Sequence, residues 1–307
     1  MLALVYTLCM LTSFPPRFLD FIAPNLDRFT LLHEILCQRG LCPSMVTLAK
    51  SKHLLVGPAG ERGGDKNSTR TVLIAHYDRA GHSPGANDNA AAVFQLIEAA
   101  GNLRKEGKKS WLIIFTDNEE AAKKDGARGQ GSFALASAFK SIGLGKADFF
   151  IFDASGRGDT LIVSTALDLL LAGQGGPGTA EARIAVRKLR LRALDAGRKL
   201  SMSRILLSPT PFSDDAGFLA AGIAAQTLTL LPGPEAALLV ASLRNQGRAS
   251  MLISRKSRDQ ALESKGTTDF IPDTWQRLHG PLDNAESLSL SSFLLLSRFA
   301  QELCRGT

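Results

Sequence analysis

The chain has 307 residues, with 36 lysines and arginines against 29 acidic residues and a formal net charge of +7. Its hydrophobic content of 45% and charged content of 21% exclude a disordered or fibrous protein. The four cysteines are scattered and form no Cys-x-x-Cys pair, which argues against a thiolate zinc site. We predict a single domain over residues 1–307, in which residues 1–68 form N-terminal helices and a hairpin packed on a core of residues 69–303.

Two segments bear on membrane and nucleic-acid binding. The apolar start MLALVYTLCMLTSFPP has no basic leader and is too short to span a bilayer. We therefore predict a packed N-terminal segment and a cytoplasmic protein, with export or a periplasmic location as the alternative. Residues 181–204 carry eight basic side chains without interleaved aromatics, which is typical of a solvated helix face. We expect no nucleic-acid binding and no stable membrane insertion, and the oligomeric state stays open.

Short apolar runs alternate with helical patterns along the chain. We predict seven strands, at residues 45–49, 53–57, 71–75, 111–115, 148–154, 160–164 and 225–231. We predict six helices, at residues 27–40, 88–104, 131–142, 180–200, 213–221 and 284–303. The repeated succession of strand and helix predicts an α/β three-layer sandwich, with a mixed, mainly parallel sheet and helices on both faces.

Imidazole and carboxylate side chains follow several of the predicted strands. They are His76 and Asp78 after TVLIA, Asp88 in the next loop, Glu119 and Glu120 after WLIIF, and Asp153 at the end of DFFIF. Each residue taken singly is more often a turn, cap or surface residue. Together they should meet where parallel strands end, and carboxylates so close repel one another unless a cation neutralises them. Nitrogen and oxygen donors suit Zn²⁺, with Mn²⁺ or Co²⁺ as alternatives, so we predict a metal site.

Six short motifs run in order between about residues 68 and 300. They are AHYD with SPGANDNAA, FTDNEE, GQGSFALA, FDASGRG, FSDDAGFLAAGIAAQTLTLLP and LHGPLDNAESL. In type and order they resemble the co-catalytic di-zinc aminopeptidase family, which includes bacterial aminopeptidases, glutamate-carboxypeptidase-type enzymes and glutaminyl cyclases. The resemblance implies a zinc-exopeptidase fold, up to two zinc ions and a peptide substrate with a free N-terminus.

The resemblance also implies the metal ligands. They are His76, Asp88, Glu120, Asp153 and His279, with Asp88 as the bridge and a cis peptide bond after it. A first assignment gives His76 and Glu120 to one metal and Asp153 and His279 to the other. Which histidine shares a metal with Asp153 and which with Glu120 is left open by the sequence.

The remaining roles implied by the resemblance concern catalysis and the substrate. Glu119, next to a ligand, corresponds to the general base. Asp78 corresponds to the carboxylate that orients the imidazole of His76. Asp214 and Phe212 are predicted to contact the substrate.

Several positions depart from the family pattern and bear on the choice of activity. Leu278 stands where the aminopeptidases often have Tyr, and Asp215 stands where His is usual. Asn89 after the bridging aspartate resembles the aminopeptidases, because cyclases typically have Ser there. The cyclases place Trp directly before the last histidine, and Trp275 comes too early for that position. We therefore predict an aminopeptidase, with a glutaminyl-cyclase-like acyltransferase and an inactive binding module of the same fold as alternatives.

Overall fold

The computed structural model describes residues 13–58, 70–120, 126–172, 176–211, 213–243 and 271–305. Eight strands form one sheet in the order β1-β2-β4-β3-β5-β8-β6-β7. They are β1 (Ser44–Leu48), β2 (Ser51–Val56), β3 (Thr71–His76), β4 (Trp111–Thr116), β5 (Asp148–Phe152), β6 (Thr160–Ser164), β7 (Ile205–Ser208) and β8 (Ala225–Leu231). The four strands β4, β3, β5 and β8 run parallel, whereas β1, β2 and β6 introduce antiparallel pairs.

Ten α-helices surround the sheet in the described part of the chain. They are α1 (Phe18–Ile22), α2 (Arg28–Gln38), α3 (Ala91–Lys105), α4 (Gly131–Ser141), α5 (Ala166–Ala172), α6 (Pro177–Lys199), α7 (Asp214–Ala220), α8 (Gly233–Ser242), α9 (Asp273–Gln276) and α10 (Leu290–Arg305). Helices α1, α2, α3, α6 and α10 share one apolar core with the sheet. Helices α4 and α7 pack on a second core with Phe149 and Ile151. The predicted three-layer α/β architecture is therefore confirmed.

The structure adds elements that the sequence patterns did not predict. Strand β7 has four residues at the edge of the sheet, and three of them are only half-buried or exposed, so it lacks the apolar run of a buried strand. Helices α1, α5, α8 and α9 were also missed. The helix predicted from residue 88 begins only at Ala91, because Asp88 and Asn89 have non-helical backbone angles. None of the described helices combines the length and apolarity needed to cross a bilayer.

The hairpin β1–β2 belongs to the sheet itself. Residues 54–56 of β2 pair with residues 113–115 of β4 in antiparallel register. Helices α1 and α2 pack on the same core, whereas residues 1–12 and 59–69 lie outside the described part, and the single-domain organisation stays a prediction.

Strand register determines where the polar residues emerge. In β3 and β4, His76 pairs with Thr116, so the loop after each strand begins at the same level. Strand β5 lies on the other side of β3 in parallel register and leads directly to Asp153. The carboxyl ends of β3, β4 and β5 therefore open side by side, which is where α/β sheets bind ligands.

Candidate metal centre

His76, the last residue of β3, is fully buried and lies among three carboxylates. Its Nδ1 lies 3.4 Å from Oδ1 of Asp78. Its Nε2 lies 3.1 Å from Oδ1 of Asp88 and 3.7 Å from Oδ1 of Asp153. One ligand atom from each of His76, Asp88 and Asp153 falls within 4.8 Å of the others, which is close enough to hold one metal ion.

A second group of potential ligands forms around His279. Its Nε2 lies 3.1 Å from Oδ2 of Asp88 and 3.3 Å from Oε1 of Glu120, and these three residues again bring ligand atoms within 4.8 Å. The two oxygens of Asp88 thus face two different imidazoles, as a bridging carboxylate requires. In this geometry His76 groups with Asp153, and His279 groups with Glu120, which differs from the first assignment of His76 with Glu120.

The backbone at Asp88 is held by a residue that the sequence analysis did not single out. The peptide bond between Asp88 and Asn89 is cis, as the resemblance implied. The carboxylate of Asp283 accepts hydrogen bonds from the backbone N–H groups of Asn87 (2.7 Å) and Asp88 (3.1 Å). Asp283 is fully buried, and burial raises its pKa to about 7. Its position four residues after His279, inside the last motif, was the only sequence signal.

Replacement of Asp283 by alanine is expected to lower the free energy of unfolding by about 1–3 kcal/mol, because it leaves two buried N–H groups without an acceptor. Chemical denaturation of the metal-free protein measures the effect. Asp283→Asn keeps one side-chain oxygen and should lose less. Wild-type stability in both variants would contradict the role given to this carboxylate.

Asp78 contacts both His76 and the backbone of the Glu119–Glu120 pair. Besides facing His76, its carboxylate accepts hydrogen bonds from the backbone N–H groups of Glu119 (3.3 Å) and Glu120 (2.9 Å). The same side chain therefore lies beside the imidazole of a potential ligand and holds the turn that carries the predicted base. The orienting role implied for Asp78 stays a prediction.

Glu119 is buried beside the cluster and is not among the potential ligand groups. Its Oε1 accepts a hydrogen bond of 3.0 Å from the side-chain amide of Gln130, which the sequence analysis had left within a motif without a role. Burial raises the pKa of the Glu119 carboxyl well above its usual range, and the nearby Glu120 carboxylate acts in the same direction. One glutamate thus faces the second histidine, whereas its neighbour lies outside both groups of potential ligands.

The donor set fits a divalent metal such as zinc. It consists of two imidazoles and three carboxylates, without thiolate, and all are buried or half-buried. The pKa of His279 rises to about 9, because the hydrogen-bonded carboxylates of Asp88 and Glu120 outweigh the burial that would lower it. The cluster therefore attracts positive charge, as a cation site must.

A pocket opens next to the two groups of ligands. Asp88, Glu119, Asp153 and His279 form its polar wall. The other described lining residues are Ala154, Thr210, Pro211, Thr227, Thr229, Trp275 and Leu278. Trp275, which comes too early in the sequence to stand directly before His279, is buried in the wall of this pocket.

The two residues predicted to contact the substrate have different outcomes. Asp214 is fully buried at the start of α7, and its Oδ2 accepts a hydrogen bond of 2.7 Å from Thr116. Burial raises the pKa of Asp214 to about 6. Its contact with a substrate stays a prediction. Phe212 lies outside the described residues.

Comparison with known proteins identifies the family. The sequence profile described as peptidase family M28 matches residues 59–300. The chain belongs to peptidase family M28. No curated protein matches the chain in a sequence search. Family membership supports a peptide hydrolase and confirms the resemblance seen in the motifs.

Solved structures similar to this M28 chain share its fold at low sequence identity. A leucine aminopeptidase precursor from Bacteroides thetaiotaomicron is 16% identical with a TM-score of 0.62, over 95% of this chain and 94% of the other. A glutaminyl cyclase from Porphyromonas gingivalis is 15% identical with a TM-score of 0.57, over 94% and 93%. A zinc aminopeptidase from Bacillus subtilis is 18% identical with a TM-score of 0.51, over 82% of this chain and 48% of the other. This M28 chain thus spans about half the length of that aminopeptidase.

Proposed function

We propose that this M28 protein is a zinc-dependent aminopeptidase that releases N-terminal residues from peptides with a free amine. One observation carries the proposal. The carboxylate of Asp88 places one oxygen 3.1 Å from Nε2 of His76 and the other 3.1 Å from Nε2 of His279. A single carboxylate shared by two imidazoles is the arrangement that two neighbouring metal ions need.

Each imidazole has a further carboxylate that would complete its group. We assign His76, Asp88 and Asp153 to one zinc and Asp88, Glu120 and His279 to the other. When bound at such a site, zinc supplies Lewis acidity, which polarises a substrate carbonyl and lowers the pKa of water. Zinc also agrees with the zinc aminopeptidase among the similar structures.

Glu119 is the residue that we assign to proton transfer. It lines the pocket beside Asp88 and Asp153, and the amide of Gln130 fixes one of its oxygens. From there its carboxylate can take a proton from an attacking water and return it to the leaving amine. Burial, which raises the pKa of Glu119, favours the protonated form that this group takes up between the two steps.

Asp78 acts through its neighbours in this proposal. Its carboxylate faces Nδ1 of His76, which leaves Nε2 of that ring directed toward Asp88 and Asp153. It also accepts hydrogen bonds from the backbone N–H groups of Glu119 and Glu120. Such hydrogen bonds set the orientation of metal ligands and typically change metal affinity when removed.

The choice of an aminopeptidase has two supports. Two of the similar structures described above are named as aminopeptidases. The match to this chain covers 94% of the Bacteroides protein and 48% of the Bacillus protein. The residue after the bridging aspartate is Asn89, whose amide donates a hydrogen bond of 2.8 Å to the carbonyl of Phe152. The resemblance implies serine at this position in cyclases, and serine has no amide group to make this hydrogen bond.

Zinc analysis combined with a peptide panel tests the proposed function. We expect up to two equivalents of zinc, and mass spectrometry should show free N-terminal amino acids from unblocked peptides and no reaction of N-acetylated ones. The panel includes peptides that begin with Gln. Loss of ammonia from those peptides alone, without shortening of any peptide, would show that the protein is a cyclase. A metal-free protein that ignores added zinc would contradict the metal centre.

A further inference from the structure

Arg28, the first residue of α2, is buried to about 95% although it carries a guanidinium group (5% exposed). It lies 49 residues before Tyr77, which is the first residue after His76 and accepts a hydrogen bond from the Arg28 side chain. Its Nε donates a hydrogen bond of 3.2 Å to the carbonyl of Phe21, and the guanidinium stacks over the Phe21 ring at 4.7 Å. The burial of such a group requires partners for all of its donors.

The other donors of Arg28 reach both ends of the loop that joins two potential metal ligands. Nη1 donates to the carbonyls of Tyr77 (3.1 Å) and Asp78 (3.3 Å), immediately after His76. Nη2 donates to the carbonyls of Pro84 (2.6 Å) and Gly85 (3.1 Å), shortly before Asp88. One planar group therefore holds the two ends of this loop together.

The loop is shaped closely around the guanidinium. Gly85 has a φ of +57°, and a Cβ built on it would lie 3.1 Å from Nη2 of Arg28 and 2.7 Å from the carbonyl oxygen of Asp88. The positive φ and this close approach both require glycine. The backbone next to the bridging aspartate is thus in direct contact with the arginine.

The charge of Arg28 also matches the site. Burial lowers its pKa to about 10, so the group stays charged at neutral pH, and the carboxylates of Asp78, Asp283 and Asp88 favour that charge. All five hydrogen bonds of the guanidinium go to backbone carbonyls. A lysine has three donors on a single nitrogen and cannot reach two separated backbone segments with the same geometry.

We propose that Arg28 is a positioning residue for the metal centre, which sets the separation of His76 and Asp88 by binding the backbone beside each of them. This inference rests on the proposed zinc site. Helix α2 thereby helps to position the metal ligands, although it contributes no ligand itself. A purely structural arginine would affect folding without changing the affinity of the folded protein for metal.

Zinc affinity of folded variants tests this role. Arg28→Lys keeps the positive charge but loses the planar guanidinium group, and Arg28→Met removes both the charge and the guanidinium group. Competition with a chromogenic chelator should show zinc binding about 10–100-fold weaker in Arg28→Lys. This is the range expected when a residue that orients a metal ligand is lost. The visible spectrum of the cobalt-substituted protein should also change, since it reports the ligand geometry. Circular dichroism and denaturation establish that each variant is folded at the temperature used.

Arg39→Met is the matched control. Arg39 follows the last residue of the same helix, is 36% exposed, and pairs with Glu98 at 3.4 Å. Its replacement should leave zinc affinity and the cobalt spectrum unchanged. A folded Arg28→Lys with wild-type affinity and spectrum would overturn the role of Arg28 alone. Failure of both Arg28 variants to fold would also overturn it, in favour of a structural role, whereas a wild type that binds no zinc would reject the proposed function as well.

Discussion

Glu119→Gln is expected to lower kcat/KM for peptide hydrolysis by about 10²–10⁴-fold while zinc content stays at the wild-type level. The amide has the size of the carboxylate and can still bond to Gln130, but it cannot accept a proton from water. Because Glu119 is not in either group of potential ligands, the metals should remain. Steady-state kinetics on the best peptide of the panel and zinc analysis of the same sample measure the two quantities.

Glu181→Gln serves as the matched control for this substitution. Glu181 is an exposed residue of α6, so removal of its charge should leave turnover unchanged. Equal kcat/KM for the wild type and Glu119→Gln on a reactive peptide would reject Glu119 as the base. If neither protein turns over any peptide although both bind zinc, the inactive binding module becomes the better description.

Asp88→Ala is expected to affect both metals at once, because the two oxygens of this one carboxylate face His76 and His279. Zinc content should fall, and the stabilisation of the folded state by added zinc should largely disappear. In the wild type we expect each occupied site to contribute about 2.7 kcal/mol to this stabilisation when free zinc is 100 times the dissociation constant. Thermal unfolding with and without zinc, at a fixed protein concentration, gives the comparison.

Asp195→Asn is the control, because it removes a carboxylate that lies outside the proposed metal site. Asp195 lies on α6 with 51% of its side chain exposed and pairs with Lys199 at 3.0 Å. Its variant should respond to zinc as the wild type does. An Asp88→Ala protein that keeps two equivalents of zinc and the full stabilisation would show that the bridge lies elsewhere.

The strands that carry the site were predictable because their apolar character is local. The runs TVLIA, WLIIF and DFFIF are almost wholly buried as β3, β4 and β5, and a buried parallel strand needs such a run whatever its neighbours are. The ends of these runs also located the polar residues, since parallel strands deliver their following loops to one edge of the sheet. The short edge strand β7 carries no comparable signal.

The residues that hold the ligands in place were much harder to find. Asp283 binds the backbone N–H of Asp88 from 195 residues away, and Arg28 reaches the carbonyl of Gly85 across 57 residues. Trp275 enters the pocket although its distance from His279 in the sequence did not suggest it. Nothing in a local pattern distinguishes these side chains from ordinary loop or helix residues, because their partners are backbone atoms of distant segments.

The amino-acid sequence by itself determined the fold class and the set of potential ligand types at the strand ends. The first follows from hydrophobic periodicity, and the second from polar residues that directly follow apolar runs, and both are properties of neighbouring residues. Only the tertiary structure decided that His76 shares Asp88 with His279, and that Asp153 accompanies the first histidine and Glu120 the second. That partition depends on distances of a few ångströms between side chains from separate loops, which chain packing sets and residue order does not.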